Sequence, residues 1–418
     1  MRFDLHKVII VGAGFAGLQA AKGLSNSLID VTIIDKHNYH LFQPLLYQVA
    51  TAGLSPADIA LPIRNIFRSK QNIKVILDEL IEINPKINQI ITRDNKYPYD
   101  FLILATGSEL SYFGHDQWKK FSPGLKNIED ATFIRSKILK AFEKAERIKN
   151  NKAIKKLMKF VVIGGGPTGV EIVGAIAELS KKVLTKEFSS IDTKAARIIL
   201  LEAGSSILST APHNLSIYTK DSLEKLGVEI KCNTVVQNIS ESLVKTNTET
   251  IEAETIIWCA GVKASSLGGF INIKTDEIDR VFVNDDLSIP THPNIFAIGD
   301  VCHVKDKIGK PLPGLAPVAK QEGKFVADVI KNKIHNVKTQ NKFYYKNRGY
   351  LATIGRSKAI VDFGWFTLKG RIGWIFWSFI HIYFLIGFLN RFMVFTNWVW
   401  SYLTFSKGAR LITNNKIP

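Results

Sequence analysis

The 418-residue chain lacks the features of a secreted, repetitive or metal-binding protein. Its three cysteines, Cys232, Cys259 and Cys302, have no CxxC or CxxxxC spacing, so they predict neither a metal site nor a redox pair. There is no solenoid-type repeat or low-complexity tract, and the N-terminus leads into an apolar run rather than a signal peptide. We therefore expect reduced, mostly buried thiols in a cytoplasmic setting. Hydrophobic residues make up 46% of the chain, enough for the cores of two or three domains.

Acidic residues are absent between Phe363 and Pro418, where six lysines and arginines stand among five of the seven tryptophans. The basic residues there are Lys369, Arg371, Arg391, Lys407, Arg410 and Lys416. A net charge of +18 could suit nucleic acid or an anionic membrane. Basic residues interleaved with aromatic ones favour a lipid interface. No nucleic-acid-binding motif is present, so we expect no nucleic-acid partner.

A glycine-rich turn follows the first apolar run, Val8–Val11, which is typical of a strand buried on both faces. Gly12, Gly14 and Gly17 form GxGxxG before a helical stretch, and the next apolar run ends at Asp35, 18 residues after Gly17. Strand, glycine turn, helix and acid in this order predict a dinucleotide-binding unit. The helix would direct its N-terminal N–H groups at a pyrophosphate, and the acid would accept from a ribose 2′-OH.

The same pattern recurs after the apolar run Phe160–Ile163. Gly164, Gly166 and Gly169 again form GxGxxG, and the following strand ends in Glu202. This acid comes 33 residues after Gly169, further than the usual spacing of about 20, and we attribute the excess to an excursion before the strand. An acid here would accept from a ribose 2′-OH and repel a 2′-phosphate, so it predicts NADH rather than NADPH.

Two further apolar runs end in small residues. The run from Tyr99 ends in Ala105-Thr106-Gly107, which alone would be an ordinary turn, and the run from Thr291 ends in Gly299-Asp300. Small residues at a strand end leave room for a cofactor. The carboxylate of Asp300 can hydrogen-bond the ribityl chain of FAD. Two dinucleotide-binding units in one chain suggest that one holds a resident flavin dinucleotide and the other a passing nicotinamide.

Other segments have simpler patterns. We expect a short helix over Ile59–Phe67 with Arg64 outside, strands between Asn72 and Asn95, and a charged amphipathic helix over Ala131–Lys149. Ile372–Asn390 is a run of 19 residues without Asp, Glu, Lys or Arg, long enough to span a bilayer. Its Trp, Tyr and Phe residues occur throughout rather than at its ends, and Phe392–Tyr402 is a second apolar aromatic stretch. We therefore expect two helices lying in the membrane plane rather than one that spans it. A buried core helix or a dimer seam is the alternative.

Taken together, these motifs resemble the flavoproteins with two dinucleotide folds. Among these flavoproteins, the chain resembles the type II NADH:quinone oxidoreductases over nearly its whole length. The segments that resemble that family are Phe42–Thr51, Ala316–Gly323 and Trp400–Phe405. The resemblance implies an α/β glutathione-reductase-like fold with two Rossmann-like domains and a C-terminal amphipathic helical membrane anchor. The implied domains are an FAD-binding domain over 1–115 and 280–330, an NADH-binding domain over 116–279, and a C-terminal domain over 331–418 with anchoring helices at about 370–405.

The resemblance also implies the site residues. For FAD, bound tightly and non-covalently, they are Gly12, Gly14, Phe15, Ala16, Gly17, Asp35, Lys36, Ala105, Thr106, Gly107, Gly299, Asp300 and Val318. For NADH they are Gly164, Gly166, Pro167, Thr168, Gly169, Glu171, Glu202, Ala260 and Gly261. On the quinone side they are Pro317, Lys320 and Gln321, where Pro317 replaces a glutamine often found in the family motif. No metal is expected.

Two acidic or polar residues have alternative interpretations. Glu171 is implied to face the nicotinamide side of the flavin and to orient NADH or relay protons, but it could instead complement a helix dipole. Gln321 is the polar candidate for quinone contact, whereas Ala316–Val326 could instead be a helix N-terminus packed under the flavin.

The implied reaction is hydride transfer from NADH to FAD N5, followed by two electrons to a membrane quinone, without proton pumping. The implied enzyme is a homodimer, peripheral on the cytoplasmic face of the cell membrane. One alternative is a sulfide:quinone oxidoreductase, which needs a pair of cysteines. The other is a redox-sensing flavoprotein that binds NADH and acts through a partner.

Overall fold

A computed structural model describes residues 5–267, 271, 273–337, 342–404 and 408–412. The α-helices of this part of the chain are α1 (Phe15–Leu24), α2 (Leu46–Ala50), α3 (Pro56–Ile59), α4 (Ile63–Ile66), α5 (Ile128–Glu146), α6 (Asn151–Leu157), α7 (Pro167–Glu178), α8 (His213–Lys225), α9 (Ala316–Ile334), α10 (Gly370–Phe384) and α11 (Phe388–Thr404).

The strands are β1 (His6–Val11), β2 (Ile29–Asp35), β3 (Tyr39–Leu41), β4 (Ala60–Pro62), β5 (Ile73–Leu77), β6 (Leu80–Asn84), β7 (Gln89–Thr92), β8 (Lys96–Pro98), β9 (Phe101–Leu104), β10 (Ser108–Leu110), β11 (Lys159–Ile163), β12 (Arg197–Leu201), β13 (Val228–Lys231), β14 (Val236–Ser240), β15 (Leu243–Thr246), β16 (Thr250–Glu252), β17 (Thr255–Trp258), β18 (Val262–Ala264), β19 (Val281–Phe282), β20 (Ser288–Ile289), β21 (His292–Ala297), β22 (Cys302–His303), β23 (Tyr350–Thr353), β24 (Ala359–Asp362) and β25 (Thr367–Lys369).

The first of two compact units comprises Met1–Leu41, Ala60–Glu109 and Val262–Arg348. Its main sheet has the order β20-β21-β9-β1-β2-β5, parallel except for the edge strand β20. The apolar strand β1 lies between β2 and β9, as expected of a strand buried on both faces. Helices α1 and α9 pack closely, since a Cβ added to Gly323 would lie 2.2 Å from the Ala16 carbonyl oxygen.

The second unit comprises Phe42–Ile59, Leu110–Gly261 and Gly349–Pro418. Its parallel sheet has the order β13-β12-β11-β17, and the antiparallel ribbon β14-β15-β16 belongs to the same unit. Helix α7 packs against the turn after β23 at a glycine pair, where a Cβ on Gly174 would lie 2.9 Å from the Gly355 nitrogen. The antiparallel strands β23, β24 and β25 lead into α10 and α11.

The bounds of the two units differ from those of the implied domains. The segment Phe42–Ile59 and the C-terminal part from Gly349 belong to the second unit, whereas Val262–Arg348 belongs to the first. Compact units are defined by contacts between chain segments, whereas the implied domains are defined by the cofactor that each would bind. The domain boundaries therefore stay a prediction.

Most predicted elements are present. The dinucleotide strands and helices, the strands between Asn72 and Asn95, and the long helix α5 all form. A single helix over Ile59–Phe67 is wrong, because strand β4 separates α3 from α4 and pairs with β3. Pro62 explains the difference, since a proline disfavours the helical conformation of the residue before it.

The C-terminal part folds as two helices, as predicted, but the break falls after Phe384, inside the run Ile372–Asn390. Within the described part of the chain, none of the helices combines the length and apolarity that crossing a membrane requires. Phe405, Lys407 and Lys416, which belonged to the sequence argument, lie outside the described residues.

Candidate functional site

The first glycine turn joins β1 to α1 and cannot accommodate side chains at two of its positions. Gly12 has φ +98°, and a Cβ there would lie 2.3 Å from the Ala105 carbonyl oxygen. A Cβ on Gly17 would lie 1.9 Å from the carbonyl oxygen of Gly12. Gly14 is different, because a Cβ there would meet no atom within 4 Å. The chain therefore keeps open space beside Gly14, at the N-terminus of a helix that no side chain caps.

The second turn repeats this geometry between β11 and α7. Gly164 has φ +108°, and a Cβ there would lie 2.7 Å from the backbone nitrogen of Ala260. A Cβ on Gly169 would lie 1.9 Å from the Gly164 carbonyl oxygen, and one on Gly166 would meet nothing within 4 Å. Pro167 begins α7, where its missing N–H leaves no helical bond unmade.

Asp35, the last residue of β2, holds the first turn through both of its carboxylate oxygens. Oδ2 accepts a hydrogen bond from the Ala13 N–H at 2.6 Å, and Oδ1 accepts one from the His37 N–H at 2.7 Å. Burial raises the pKa of Asp35, and the two N–H donors oppose that shift. Lys36, next in the chain, is exposed.

Glu202, directly after β12, holds the second turn in the same way. Oε2 accepts from the Gly165 N–H at 2.6 Å, and Oε1 accepts from the Gly204 N–H at 2.6 Å. In both turns the acid binds the residue after the first glycine and the residue two positions beyond itself. The two units thus contain the same device in spite of the longer spacing to Glu202.

The other two strand ends of the first unit lie beside its glycine turn. Gly107 has φ +74°, and the Thr106 hydroxyl accepts from the Ser265 hydroxyl at 2.7 Å. The Ser108 hydroxyl donates to Asp300 Oδ2 at 2.5 Å. Neither serine was identified from the sequence, because each is distant in the chain from its partner.

Gly299 is held by a buried acid that the sequence analysis did not single out. Its φ is +77°, and its N–H donates to Glu322 Oε2 at 2.5 Å. Burial raises the pKa of Glu322 to about 7, although this N–H opposes the shift. The Cys302 thiol also lies 3.5 Å from Glu322 Oε2. One sequence signal existed, since Glu322 stands on the face of α9 that carries Ala319 and Gly323.

Helix α9 places the expected quinone-side residues. Pro317 lies in its first turn and Val318 is buried. The Lys320 ammonium lies 5.3 Å from the centre of the Phe15 ring, and burial lowers the pKa of Lys320 to about 8.

Gln321 already uses both ends of its side-chain amide. Nε2 donates to the Lys346 carbonyl oxygen at 2.9 Å, and Oε1 accepts from the Lys346 N–H at 3.0 Å. These bonds fasten α9 to the segment before β23, which supports the alternative of a structural helix. Quinone contact by Gln321 stays a prediction.

Glu171 is the fifth residue of α7 and so lies past the first helical turn, where complementing the dipole is most effective. Although its side chain is partly exposed, burial of the carboxyl group raises the pKa of Glu171 to about 8. The backbone N–H of Thr353 lies 3.5 Å from Oε1 and only partly opposes the shift. Its carboxyl group is therefore mostly protonated at neutral pH.

The remaining expected residues complete the two groups. Gly261 has φ +77°, and a Cβ there would lie 2.5 Å from the Phe113 ring. Thr168 lies in the first turn of α7, and Phe15 and Ala16 begin α1. A Cβ on Gly299 would lie 3.2 Å from the Ala16 Cβ, so the end of β21 adjoins the first turn.

Each unit therefore brings its expected dinucleotide residues together at the carboxyl ends of its parallel strands, where open α/β sheets bind ligands. In the first unit the glycine turn contacts Ala105 and adjoins Gly299. In the second it contacts Ala260 and Glu202. Among the described residues no three His, Cys, Asp or Glu side chains form a group that could hold a metal ion.

Two family models match the chain. The pyridine nucleotide-disulphide oxidoreductase family matches residues 6–323, and the NDH2 C-terminal domain matches residues 347–405. A type II NADH:quinone oxidoreductase, Ndh, from Mycobacterium tuberculosis is 38% identical over 426 residues, covering 98% of this chain and 91% of the relative. The chain belongs to the type II NADH:quinone oxidoreductase family.

Solved structures show the same fold. NDH2 from Plasmodium falciparum in complex with NADH has a TM-score of 0.90 at 24% identity and covers 98% of this chain and 100% of that one. The sulfide:quinone oxidoreductase from Aquifex aeolicus has a TM-score of 0.70 at 20% identity and covers 94% and 92%. The type II NADH:quinone oxidoreductases are FAD-dependent NADH dehydrogenases, so the expected family, activity and cofactor are confirmed.

Proposed function

We propose that this chain holds FAD in its first unit, oxidises NADH bound at its second unit, and reduces a quinone at the membrane surface. The observation that supports this most directly is the pair of matching turns. Each has open space at its middle glycine and an acid that binds two backbone N–H groups. A chain with two such turns can hold one dinucleotide permanently, here FAD, and bind and release a second, here NADH.

The first unit fits FAD. The open space beside Gly14 and the uncapped N-terminus of α1 suit a pyrophosphate, and Asp35 is placed for a ribose hydroxyl. Asp300, held by Ser108, suits the ribityl hydroxyls. When bound, FAD supplies the two-electron chemistry that connects a hydride donor to a quinone acceptor. The N-terminus of α9 adds a positive dipole end to the same unit.

The second unit fits NADH. Glu202 places its carboxylate beside the turn, where both of its oxygens accept from backbone N–H groups. The remaining lone pairs can accept from a ribose 2′-OH, whereas a 2′-phosphate would meet a negative charge. The residues of this unit therefore select NADH and orient it.

Glu171 is the residue we propose to hold a proton for quinone reduction. Reduction of a quinone to a quinol takes up two protons along with two electrons. A carboxyl group with a pKa of about 8 carries its proton at neutral pH and can release and regain it at little cost.

Helices α10 and α11 supply the membrane contact in this proposal. Each buries one side, at Gly373 and Trp377 in α10 and at Asn390 and Val394 in α11. The exposed apolar residues are Ile372, Ile375, Phe379, Tyr383, Phe384, Phe388, Leu389, Phe392, Met393, Phe395, Val399, Trp400, Tyr402 and Leu403. An apolar face of this extent, next to basic residues and without acids, suits a helix pair lying in the lipid interface.

Two further parts of the proposal are a homodimer and a location on the cytoplasmic face of the cell membrane. Both come from the resemblance to the family. Light scattering of the purified protein tests the first, and protease accessibility in inverted membrane vesicles tests the second.

Anaerobic stopped-flow spectroscopy tests the main proposal. NADH should bleach the flavin absorbance rapidly, NADPH and sulfide should do so slowly or not at all, and a short-chain quinone should restore the colour. A colourless protein would remove the basis of the proposal. Rapid bleaching by NADH without reoxidation by quinone would instead support a redox sensor.

A further inference from the structure

The turn between β24 and β25 carries an exposed tryptophan at a well-defined position. Phe363, Gly364, Trp365 and Phe366 form this turn, which we call the hairpin tip. The Phe363 N–H donates to the Phe366 carbonyl oxygen at 3.0 Å, and the Gly364 N–H donates to Asp362 Oδ1 at 2.8 Å. Gly364 has φ +85°, a conformation that glycine adopts without strain. These features fix the backbone of the tip and with it the position of the indole.

The rings of the hairpin tip pack on one another and leave Trp365 on the outside. The Phe363 and Phe366 rings are nearly parallel, with their centres 4.9 Å apart, and the Trp365 ring lies 4.2 Å from that of Phe366. The two phenylalanines are half-buried, whereas Trp365 is 84% exposed. Contact of a large apolar ring with water is unfavourable, so this side chain favours an environment less polar than bulk water.

The hairpin tip and α11 lie on opposite flanks of α10. On one flank the Phe363 ring meets the Phe376 ring of α10 edge to face, with the ring centres 5.2 Å apart. On the other flank Trp374 of α10 stacks on Tyr402 of α11 at 5.6 Å. Each residue turns a helix by about 100°, so side chains two positions apart point in directions about 160° apart. Helix α10 is therefore held between the tip and α11.

Exposed apolar side chains fill the outer face of α10 between these flanks. At the same rotation per residue, Ile372, Ile375 and Phe379 point to the side opposite the buried Gly373. Their exposed fractions are 67%, 63% and 65%. The exposed apolar face of α10 is thus bordered by α11 on one side and by the hairpin tip on the other.

The charge around the hairpin tip favours an anionic surface as the partner. Lys369 at the end of β25 and Arg371 in the first turn of α10 are both exposed. From Phe363 onward the chain contains no Asp or Glu. Positive charge beside an exposed indole is the combination found at the interface of anionic lipids. Because the tip also borders the apolar face of α10, a lipid surface suits it better than a separate protein partner.

We propose that the hairpin tip is a third membrane-contact element, which inserts Trp365 into the lipid headgroup region beside α10. The inference rests on the proposed membrane contact of α10 and α11. The Trp365 N–H would lie among the headgroups and its ring against the upper acyl chains. Lys369 and Arg371 would contact anionic headgroups. With a lipid contact on each flank, α10 cannot roll about its axis, so Ile375 stays directed at the lipid.

Vesicle binding by the FAD-loaded full chain tests the proposal. Co-sedimentation with vesicles of equal parts phosphatidylcholine and phosphatidylglycerol measures the affinity. Trp365→Ser should weaken binding by about tenfold, because the transfer of a large apolar side chain out of water is lost. Leu28→Ser is the matched control, since Leu28 is 82% exposed in the first unit, and its affinity should equal that of the unaltered protein. Flavin content and thermal unfolding show whether each variant folds.

Quenching by brominated lipids tests insertion independently of affinity. Bromine on the acyl chains quenches the emission of tryptophans that contact them. At saturating vesicle concentration, Trp365→Phe should reduce the amount of emission that brominated lipids quench. Trp118→Phe removes a tryptophan that is only 3% exposed, so the quenched amount should stay as in the unaltered protein.

Three outcomes separate this inference from the membrane contact on which it rests. If the unaltered protein binds vesicles and Trp365→Ser binds them equally well, the inference is overturned and the contact through α10 and α11 stands. If Trp365→Ser binds weakly but Trp365→Phe keeps the full quenched emission, the tip does not insert and the inference is again overturned. If the unaltered protein does not bind the vesicles, the proposed membrane contact itself fails.

Discussion

Asp35 and Glu202 stabilise the two turns by the same pair of contacts, from a backbone N–H inside the turn and from one just beyond the acid. Each acid therefore has a structural task even without a ribose nearby. The protein's own packing does not require glycine at positions 14 and 166, because a Cβ on Gly14 or Gly166 would meet nothing within 4 Å. These two glycines are the positions at which ligand binding and folding can be separated.

Gly14→Ala should fold normally and lose its flavin. The added methyl group fits the protein but intrudes where a pyrophosphate would approach. Flavin absorbance per polypeptide and the temperature of unfolding measure the two effects. Gly408→Ala is the control, since a Cβ there also meets nothing within 4 Å. Retention of flavin in Gly14→Ala would contradict the assignment of this turn.

Glu202→Gln should narrow the preference for NADH over NADPH. The substitution removes the negative charge that repels a 2′-phosphate, and it also places an amide N–H against one of two backbone donors, at Gly165 or Gly204. We expect about a tenfold loss of discrimination, equivalent to about 1.4 kcal/mol. The ratio of kcat/KM for the two nucleotides measures it. An unchanged ratio would show that Glu202 does not contact the ribose.

Among the elements, α10 and α11 have one face fixed to the protein and one face exposed. Gly373 lies against β24, where a Cβ would be 2.6 Å from the Ala359 carbonyl oxygen, and Trp377 is buried. In α11, Asn390 and Trp398 bond to the segment Phe42–Ile59. Deleting the chain from Phe392 would therefore remove internal contacts together with the exposed face.

Point substitutions give a cleaner test of the membrane contact. Ile375→Ser and Phe379→Ser together should weaken binding to anionic vesicles by at least tenfold, because both side chains are more than 60% exposed on one face of α10. Their flavin content and thermal stability should stay unchanged. Co-sedimentation with vesicles measures the binding, and Leu28→Ser, which removes an exposed apolar side chain of the first unit, is the control. If the double variant, Leu28→Ser and the unaltered protein all bind vesicles equally, the proposed membrane contact of α10 is contradicted.

For the molecule as a whole, two buried acids determine part of its response to pH. Burial raises the pKa of Glu171 to about 8 and of Glu322 to about 7, from an ordinary value of 4.5. Between about pH 4.5 and pH 7 the folded chain keeps both of these protons, whereas the unfolded chain releases them. The free energy of unfolding therefore falls as pH rises from about 4.5 towards 8.

Glu171→Gln and Glu322→Gln should each reduce that fall, because a neutral amide has no proton to lose. The free energy of unfolding by urea, compared at about pH 5.5 and pH 8.5, measures the effect, which we expect to be a few kcal/mol for each variant. Exposed Glu143→Gln is the control. If all variants lose stability equally between the two pH values, the buried carboxyl groups do not carry a raised pKa.

The sequence by itself determined the parts of this protein that are local in the chain. Glycine spacing, apolar runs and the acids at strand ends lie within about 40 residues of each other, so the two turns, their strands and Asp35 and Glu202 could all be predicted. The two C-terminal helices were predicted from two apolar aromatic stretches, Ile372–Asn390 and Phe392–Tyr402. Strand β4 was missed because its pairing with β3 outweighs the short helical pattern around Ile59.

Only the tertiary structure decided the contacts between segments that are distant in sequence. Glu322 with Gly299, Gln321 with Lys346, and Trp398 with Gln48 each require two segments to meet, and no pattern within either segment encodes the partner. The raised pKa values of Glu171 and Glu322 have the same origin, since burial depends on what the rest of the chain packs around a carboxyl group. Local residue pattern specifies a dinucleotide turn, whereas packing determines where a proton can be held.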